Sequence, residues 1–260
     1  MLLLSKKLKT RIMKKLIYSL KRLTIITVLF MSAQVVVSCS DDETDSSETL
    51  QEQDVVEIIE NSLKEDTGGL SKTIEVTVSL AGEQGVYTET PDINCGETYN
   101  HNYSFQNEVN SYSANYQFVS TYQMNCAGNS APENFSYQFT NTGNYDTPRM
   151  TSDDSSNADW NLTGLNTLVD NISLNGSYER NGSQVSKVRY RNSFTSTLTY
   201  SISDLQVNKT SYEIQAGTAS VHFVGTVSNG NQYTYNGSVT FNGDGTATLV
   251  INGNTYIINL

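Results

Sequence analysis

The chain has 260 residues, a formal net charge of −11, only three prolines and only three cysteines. Eight of its 16 basic residues lie in the first 22 positions, where no acidic residue occurs, so the chain from residue 39 onward carries eight basic against 27 acidic residues, a net charge of −19. A domain this acidic repels nucleic-acid phosphates and anionic membrane surfaces, which argues against nucleic acid as a ligand and against membrane contact other than through an anchor.

Residues 1–38 have the pattern of a secretory signal peptide. A basic segment that ends at Arg22 precedes a mostly apolar run, residues 23–37 (LTIITVLFMSAQVVV). The run is shorter than the roughly 20 residues that a transmembrane helix needs. Because the basic segment is long, the sequence leaves open whether translation begins at Met1 or at Met13.

The apolar run ends in the residues VVSC, positions 36–39. This ending resembles the lipobox of bacterial lipoproteins, and the resemblance implies cleavage before Cys39 and covalent lipid on its thiol. The next residues, SDDE at 40–43, resemble the acidic signal that sends lipoproteins of the Bacteroidota to the outer face of the outer membrane. The resemblance covers residues 1–43 and implies a lipid-anchored protein on the cell-surface side of the outer membrane. An uncleaved anchor with an incidental cysteine is the alternative.

Residues 39–54 are predicted to be an acidic, disordered tether. Positions 40–54 contain seven acidic residues and no lysine or arginine. Like charges extend such a segment, and it has too few apolar residues to fold by itself. If the acidic run is only a tether and not a sorting signal, the protein faces the periplasm instead.

A short helix is predicted over about residues 55–66. Asp54 is placed to cap its N-terminus, with Glu57 as the second member of a capping box. The glycines at 68–69 are a stop signal. The apolar stripe of the helix consists of Val55, Ile59 and Leu63.

A disulfide between Cys95 and Cys126 is predicted from a hairpin register. Residues 99–109 and 112–124 each alternate apolar and polar side chains, and a two-residue turn between them makes the numbers of facing residues add up to 221. The two cysteines obey the same sum. Facing strand residues lie about 5 Å apart, which a disulfide can span, and exported proteins are oxidised. Metal binding by the two cysteines is the weaker alternative.

Residues 55–260 are predicted to form a single, mainly β domain: an antiparallel meander sheet with one short N-terminal helix. The clearest part is the last forty residues. There the faces on which the apolar side chains lie agree with the lengths of the predicted loops at 229–231, 243–245 and 252–253. A curved sheet, a barrel and a two-sheet sandwich all fit this pattern.

The middle of the domain is predicted with less regular elements. A hairpin turn is expected at residues 181–183, which would place Leu174 near Tyr190, followed by a long strand from about 184 to 202. Residues 141–170 show weak periodicity and are expected to be a long loop or a crossover.

No common catalytic motif occurs in the sequence, which favours a non-enzymatic protein without a cofactor other than its lipid. The only histidines are interpreted as structural: His101 lies on the apolar face of its predicted strand and His222 on the polar face of its own. A pair of carboxylates remains an alternative, since 27 acidic residues make some suitable pair inevitable. A weak calcium site is expected at Asp153, Asn157 and Asp159, although the spacing is not that of an EF-hand loop.

Two groups of residues are candidate ligand contacts. Lys187, Arg189 and Arg191 alternate with apolar residues and would form a basic strip on one strand face, with Arg180 near it. Such a strip could hold an acidic glycan or a partner carboxylate, or it could complement nearby acids. Trp160, the only tryptophan, is placed in the expected loop, where it would either stack on a sugar ring or be buried.

These observations lead to one main hypothesis and two alternatives. The main hypothesis is a surface-exposed lipoprotein whose β domain binds a glycan or a protein partner. The alternatives are an envelope carrier that holds an apolar ligand in a curved sheet or barrel, and a glycan-degrading enzyme that uses two carboxylates.

Metabolic labelling with a fatty-acid probe tests the anchor. The wild-type protein is expected to incorporate the probe and Cys39→Ala to lose it, because only the cysteine thiol of a lipobox is acylated. Labelling that persists in Cys39→Ala would contradict the resemblance.

Overall fold

The computed structural model describes residues 49–109, 111–128, 131–188 and 191–260. The predicted signal peptide, Cys39 and the SDDE run lie outside the described residues. Within these ranges, no helix is long and apolar enough to cross a membrane.

Ten antiparallel strands form one sheet in which each strand pairs with the next along the chain. The mainly β fold with a meander is therefore confirmed. In the described ranges, the first and last strands each pair with one neighbour only, so the sheet stays open and does not close into a barrel. The strands are β1 (Thr98–Val109), β2 (Tyr112–Cys126), β3 (Pro132–Asp146), β4 (Met150–Thr163), β5 (Asn171–Ser186), β6 (Ser193–Asn208), β7 (Ile214–Val227), β8 (Gln232–Phe241), β9 (Thr246–Ile251) and β10 (Asn254–Asn259).

Two helices, α1 (Glu52–Leu63) and α2 (Leu70–Glu83), cover one face of this sheet. α1 reaches the last strand, where Glu52 accepts a hydrogen bond from Tyr256 at 2.6 Å. Lys72 of α2 lies 5.9 Å from the ring centre of Phe105 in the first strand. The sheet therefore curves around the helix pair, and every buried apolar residue of the described chain belongs to one core between Leu50 and Ile258.

The first helix differs from its prediction at the N-terminus. Gln51 is the N-cap residue and makes no side-chain capping bond, whereas Asp54 lies inside the first turn and is completely buried. The predicted capping box at Asp54 is therefore wrong. The predicted apolar stripe is confirmed, because Val55, Ile59 and Leu63 are all buried.

The second helix is absent from the prediction, which expected strands after residue 69. Residues 74–80 alternate Ile, Val, Val and Leu at every second position, as a strand would. The buried positions follow the helical period instead: Leu70, Thr73, Ile74, Thr77, Val78 and Ala81. β-branched residues favour strands locally, so tertiary packing decides this segment.

The disulfide hairpin is confirmed. All facing pairs between β1 and β2 add up to 221, from Thr98–Gln123 to Val109–Tyr112. Cys95 and Cys126 form a disulfide with Cα atoms 5.6 Å apart. The regular pairing ends before the cysteines, and Cys95 bridges to Met124 instead of lying directly opposite Cys126. The disulfide thus ties the segment before β1 to the end of β2.

The C-terminal meander is confirmed, with one shift. The turn at 243–245 and the two-residue turn at 252–253 are as predicted. Asn252 and Gly253 have φ of 49° and 81°, the left-handed pair of a type I′ turn. At the β7–β8 turn, Thr226 faces Gln232, which centres the loop one position earlier than predicted while keeping the side chains on the predicted faces.

The predicted turn at residues 181–183 is wrong, because β5 runs straight through it. Gly182 serves close packing instead: a Cβ there would meet the Asp154 Cβ atom at 2.8 Å. Leu174 pairs with Leu162 and Leu205, while Tyr190 lies outside the described residues. The predicted long strand over 184–202 is likewise interrupted between β5 and β6.

The expected loop over residues 141–170 is also wrong, because it contains the end of β3 and all of β4. After Met150, the next inward-facing residues of β4 are Ser152, Asp154 and Ser156, which hide its period-2 pattern from a hydrophobicity count. Most of these polar groups have internal partners, although Asp154 Oδ1 has no hydrogen-bond partner among the described residues. The Ser156 amide and hydroxyl both donate to Asn141 Oδ1 at 2.8 Å.

A buried ion pair fastens α1 and the loop after it to the sheet. Arg180 Nη2 donates to Asp154 Oδ2 at 3.0 Å, and both side chains are nearly inaccessible. The same guanidinium donates to the carbonyls of Asn61 at 3.4 Å and Thr67 at 3.5 Å. Tyr116 Oη also receives a hydrogen bond from Arg180 and donates to Asp154 at 3.1 Å.

The charge of Arg180 is maintained although it is fully buried. Burial disfavours the charged form, but Asp154 and the surrounding tyrosines outweigh it and raise the pKa of Arg180 well above its usual value. The guanidinium also lies 5.3 Å from the ring centre of Tyr116 and 5.1 Å from that of Tyr145. Arg180 of β5 therefore connects three other strands, β2, β3 and β4, with the helix layer.

Asp154→Asn is expected to lower the free energy of unfolding by about 3–5 kcal/mol, because it leaves the Arg180 charge buried without its partner. Asp153→Asn is a matched control on the exposed face of the same strand, and its effect should stay within about 0.5 kcal/mol. Urea unfolding followed by the fluorescence of Trp160 measures both. Equal effects of the two substitutions would show that the ion pair does not stabilise the fold.

Reduction of the disulfide is expected to lower the free energy of unfolding by about 3–4 kcal/mol in the chain-entropy account, because the bond closes a long loop in the unfolded chain. The two cysteines are 31 residues apart. Urea unfolding with and without reductant measures the change. The control is the double variant Cys95→Ser with Cys126→Ser, in which reductant should have no effect. A wild-type protein insensitive to reductant would contradict the prediction.

Candidate binding cleft

A polar cleft of about 630 Å³ lies between the helix layer and two turns of the sheet. The helix side contributes Glu65, Ser71 and Glu75. The sheet side contributes residues 211–214 from the β6–β7 connection and residues 243–245 from the β8–β9 turn, together with Leu260. The Leu260 amide donates to the Gly245 carbonyl at 2.9 Å, which holds the end of the chain against that turn.

The cleft lining contains four acidic side chains and no basic one within the described residues. Lys72 lies 2.7 Å from Glu75 and 3.6 Å from Glu65, and offsets part of the charge on the helix side. Among the described residues, no lysine or arginine forms an ion pair with Glu213 or Asp244 on the sheet side. The cleft is therefore rich in hydrogen-bond acceptors. Its negative charge lacks a described basic partner on the two turns of the sheet side.

Hydrogen bonds fix the two carboxylates of the sheet side. Thr246 donates to Asp244 Oδ1 from its hydroxyl at 2.6 Å and from its amide at 3.1 Å. The hydroxyl bond in particular lowers the pKa of Asp244, so this group is ionised at neutral pH. Ser211 Oγ donates to Glu213 Oε2 at 3.1 Å.

Tyr212 enters the cleft from a strained backbone position. Its φ is 62°, a left-handed value that is uncommon for a bulky residue. The turn enforces it, because the Tyr212 amide donates to the Asn208 carbonyl at 2.9 Å. Asn208 Oδ1 also accepts from the amides of Thr210 and Ser211. Strain of this kind persists only where its surroundings over-determine it, and it is enriched at functional sites.

The cleft and the start of the domain lie at opposite ends of the sheet. Successive connections of a meander alternate between its two ends. The described chain begins at residue 49 beside the β5–β6 connection, where Asn192 donates to the Thr49 carbonyl at 3.4 Å, and Glu52 accepts from Asn252 of the β9–β10 turn at 3.1 Å. The β6–β7 and β8–β9 connections that form the cleft belong to the other end.

The predicted basic strip of Lys187, Arg189 and Arg191 is wrong. Lys187 and Arg191 lie in the β5–β6 connection, not on a strand face, and Arg189 lies outside the described residues. Lys187 is ion-paired with Asp146. Arg180, expected near the strip, points into the core.

Trp160 is in β4 and not in a loop. It is completely buried, 6.1 Å from Tyr137 and 5.3 Å from Phe139 between ring centres. The side chain therefore cannot stack on a sugar in this structure, and of the two predicted roles the buried one is found.

The weak calcium candidates Asp153, Asn157 and Asp159 lie on β4, all facing outward. Side chains at every second strand position are roughly 7 Å apart, too far for three of them to surround an ion with oxygens at about 2.4 Å. Asp159 accepts a hydrogen bond from Gln138 at 3.0 Å. In the described ranges, no group of three potential metal ligands comes together.

The sequence did not single out the residues that form the cleft. Glu213 and Asp244 are two of 27 acidic residues, and nothing in their spacing distinguishes them. The two histidines are also apart from the cleft. His222 contacts Asn236 at 2.8 Å on the exposed face, and His101 stacks on Tyr103 under the helices.

Comparisons with protein-family models, with curated proteins and with solved structures found no match.

Proposed function

We propose that the protein is a lipid-anchored, surface-exposed binding protein of the bacterial outer membrane, with the cleft as its ligand site. The lipobox and the acidic run after it support the anchor and the location. The residues of the cleft support the binding function, and the protein acts without chemistry of its own.

The observation that carries this proposal is the placement of the cleft. The tether joins the domain at the end of the sheet that holds the β5–β6 and β9–β10 connections, and the cleft opens at the other end. A domain held by its tether end turns this cleft away from the membrane. Large ligands outside the cell would reach it without approaching the lipid surface.

The chemistry of the cleft favours a neutral or amino glycan as the ligand. Ionised carboxylates such as Asp244 and Glu213 accept hydrogen bonds from sugar hydroxyls or amino groups. Tyr212 adds an aromatic ring with a polar hydroxyl. Lys187 is paired with Asp146, and Lys187 and Arg191 lie off the strand face, so the described residues give no reason to prefer an acidic glycan. A lysine-rich segment of a partner protein suits the same carboxylates and is the second candidate.

Protease treatment of intact cells tests the location. Because we place the domain outside the cell, an antibody to the C-terminal meander is expected to lose its signal without lysis, while a periplasmic control protein stays intact. Protection of the domain until lysis would contradict the surface location and favour the envelope carrier.

A glycan array with the solubilised lipoprotein tests the ligand. Binding to a neutral or amino glycan is expected to weaken at least about tenfold in the double variant Glu213→Gln with Asp244→Asn, through loss of two charged acceptors. The control, Asp153→Asn with Asp159→Asn, changes the charge equally on the exposed face of β4 and should bind as the wild type does. Equal binding by all three proteins would place the ligand elsewhere, and release of reducing sugar would favour the carboxylate enzyme.

A further inference from the structure

The two helices are attached to the sheet in different ways. α1 makes polar bonds to the sheet along its whole length: Glu52 to β10, Glu57 to Arg149 of the β3–β4 connection at 2.6 Å, and Ser62 to Tyr200 of β6 at 2.6 Å. These bonds come in addition to the Arg180 bond to the Asn61 carbonyl. α1 is therefore fixed in position as well as buried.

α2 is held mainly by apolar packing. The hydrogen bonds that its side chains make among the described residues stay within the helix and its flanking turns, such as Thr77 to the Thr73 carbonyl at 2.7 Å. Two side chains of α2 act on polar groups of the sheet. The Thr77 hydroxyl opposes the rise in the pKa of Tyr137 that burial causes, and the charge of Glu75 adds to the rise in the pKa of Tyr103 that burial causes. α2 starts after Gly68 and ends before Gly85, both in left-handed conformations. We call the segment from Gly68 to Gly85 the cover.

The cover lies on a continuous aromatic surface, the aromatic wall, made of Tyr103, Phe118, Tyr137, Phe139 and Trp160. Neighbouring ring centres are 4.3 Å apart between Tyr103 and Phe118, 5.6 Å between Phe118 and Phe139, and 5.3 Å between Phe139 and Trp160. The wall spans four strands, and its rings form one apolar platform.

The wall carries three hydrogen-bond donors without a described partner, of which Tyr137 Oη lies near the Thr77 hydroxyl of the cover. Tyr103 Oη and Trp160 Nε1 are buried and have no hydrogen-bond partner among the residues that the structure describes. Burial raises the pKa of Tyr103, so its hydroxyl keeps its proton. An unsatisfied buried donor costs roughly 1–3 kcal/mol, and such groups in native proteins call for an explanation.

We propose that the aromatic wall is a second binding site, that its ligand is an acyl chain with a neutral ester or amide carbonyl, and that the cover moves aside to admit it. The chain takes the place of the apolar face of α2, whose buried side chains have the same chemistry, and the carbonyl accepts from Tyr103 Oη. α1 stays in place and the Cys95–Cys126 disulfide holds the far end of the segment. This site is independent of the cleft and of the lipid anchor.

The test uses Trp160 as a reporter, because it is the only tryptophan and part of the wall. The chain from Ser40 to Leu260, which contains every described core residue, is purified without detergent and titrated with methyl 9,10-dibromostearate carried by cyclodextrin. Bromine quenches tryptophan only at contact. Saturable quenching by more than half is expected, and methyl stearate should reverse it by competition.

Hydrogen exchange shows whether the cover moves. With the ester bound, amides of residues 72–83 are expected to exchange at least about tenfold faster, while those of residues 54–63 stay unchanged. Absence of saturable quenching would overturn the proposal. Quenching with the amides of α2 as protected as in the free protein would also overturn it, because the ligand would then lie elsewhere.

Tyr103→Phe separates a binding role from a structural one. Since the hydroxyl has no described partner, its removal should leave thermal stability unchanged or higher, yet weaken binding of the ester roughly five- to tenfold. The control is Tyr235→Phe, the same change at a hydroxyl that donates to the Leu50 carbonyl at 3.3 Å beside α1. It should lower stability and leave binding unchanged. Equal binding by wild type and Tyr103→Phe would refute the assigned contact.

Gly82→Ala tests the opening itself. A Cβ at Gly82 would meet Tyr87 at an ordinary 3.5 Å, so the substitution fits and should stabilise α2 in its closed position. Because the open state becomes rarer, ester binding is expected to weaken roughly two- to fivefold. Tighter binding in this variant would contradict an opening step.

Discussion

The ion pair between Arg180 and Asp154 is the interaction on which the arrangement of the helices depends. An open ten-stranded sheet has one large apolar face that must be covered, and apolar packing alone does not specify how a helix lies on it. A buried charge tolerates few positions, because its partner and its hydrogen bonds must all be present. Arg180 meets this condition by binding Asp154 and the carbonyls of Asn61 and Thr67 at once. The end of α1 is thus fixed at one place on the sheet.

This fixed point divides the interior into two parts with different properties. α1 matches individual polar groups of the strands, as Ser62 does for Tyr200, although its own Asn61 Nδ2 lacks a described partner. Under α2 the contact is almost entirely apolar, and donors such as Tyr103 Oη lack a described partner. α1 is therefore attached by polar bonds as well as packing, and α2 mainly by packing, which is the basis of the opening proposed for the cover. The same division explains how a mainly structural core could also hold a ligand.

The outer surface shows a related asymmetry between the two ends of the sheet. At the tether end, charged groups such as Lys187 with Asp146 and Arg149 with Glu57 are paired. At the other end, the carboxylates of Glu213 and Asp244 have no basic partner in the described ranges, and Tyr212 is kept in a strained conformation. The backbone strain at Tyr212 lowers stability, and strain of this kind is enriched at functional sites.

The sequence by itself determined the features that depend on local rules. Strand alternation and turn chemistry predicted the C-terminal meander and the β1–β2 register, and with that register the Cys95–Cys126 disulfide. Only the tertiary structure decided α2 and β4. The β-branched residues of α2 favour a strand until the sheet offers them a surface that suits the helical period, and the inward polar residues of β4 make sense only once Arg180 stands opposite Asp154. It also decided the cleft, because acids far apart in the chain become neighbours only when the meander brings the β6–β7 and β8–β9 connections to one end.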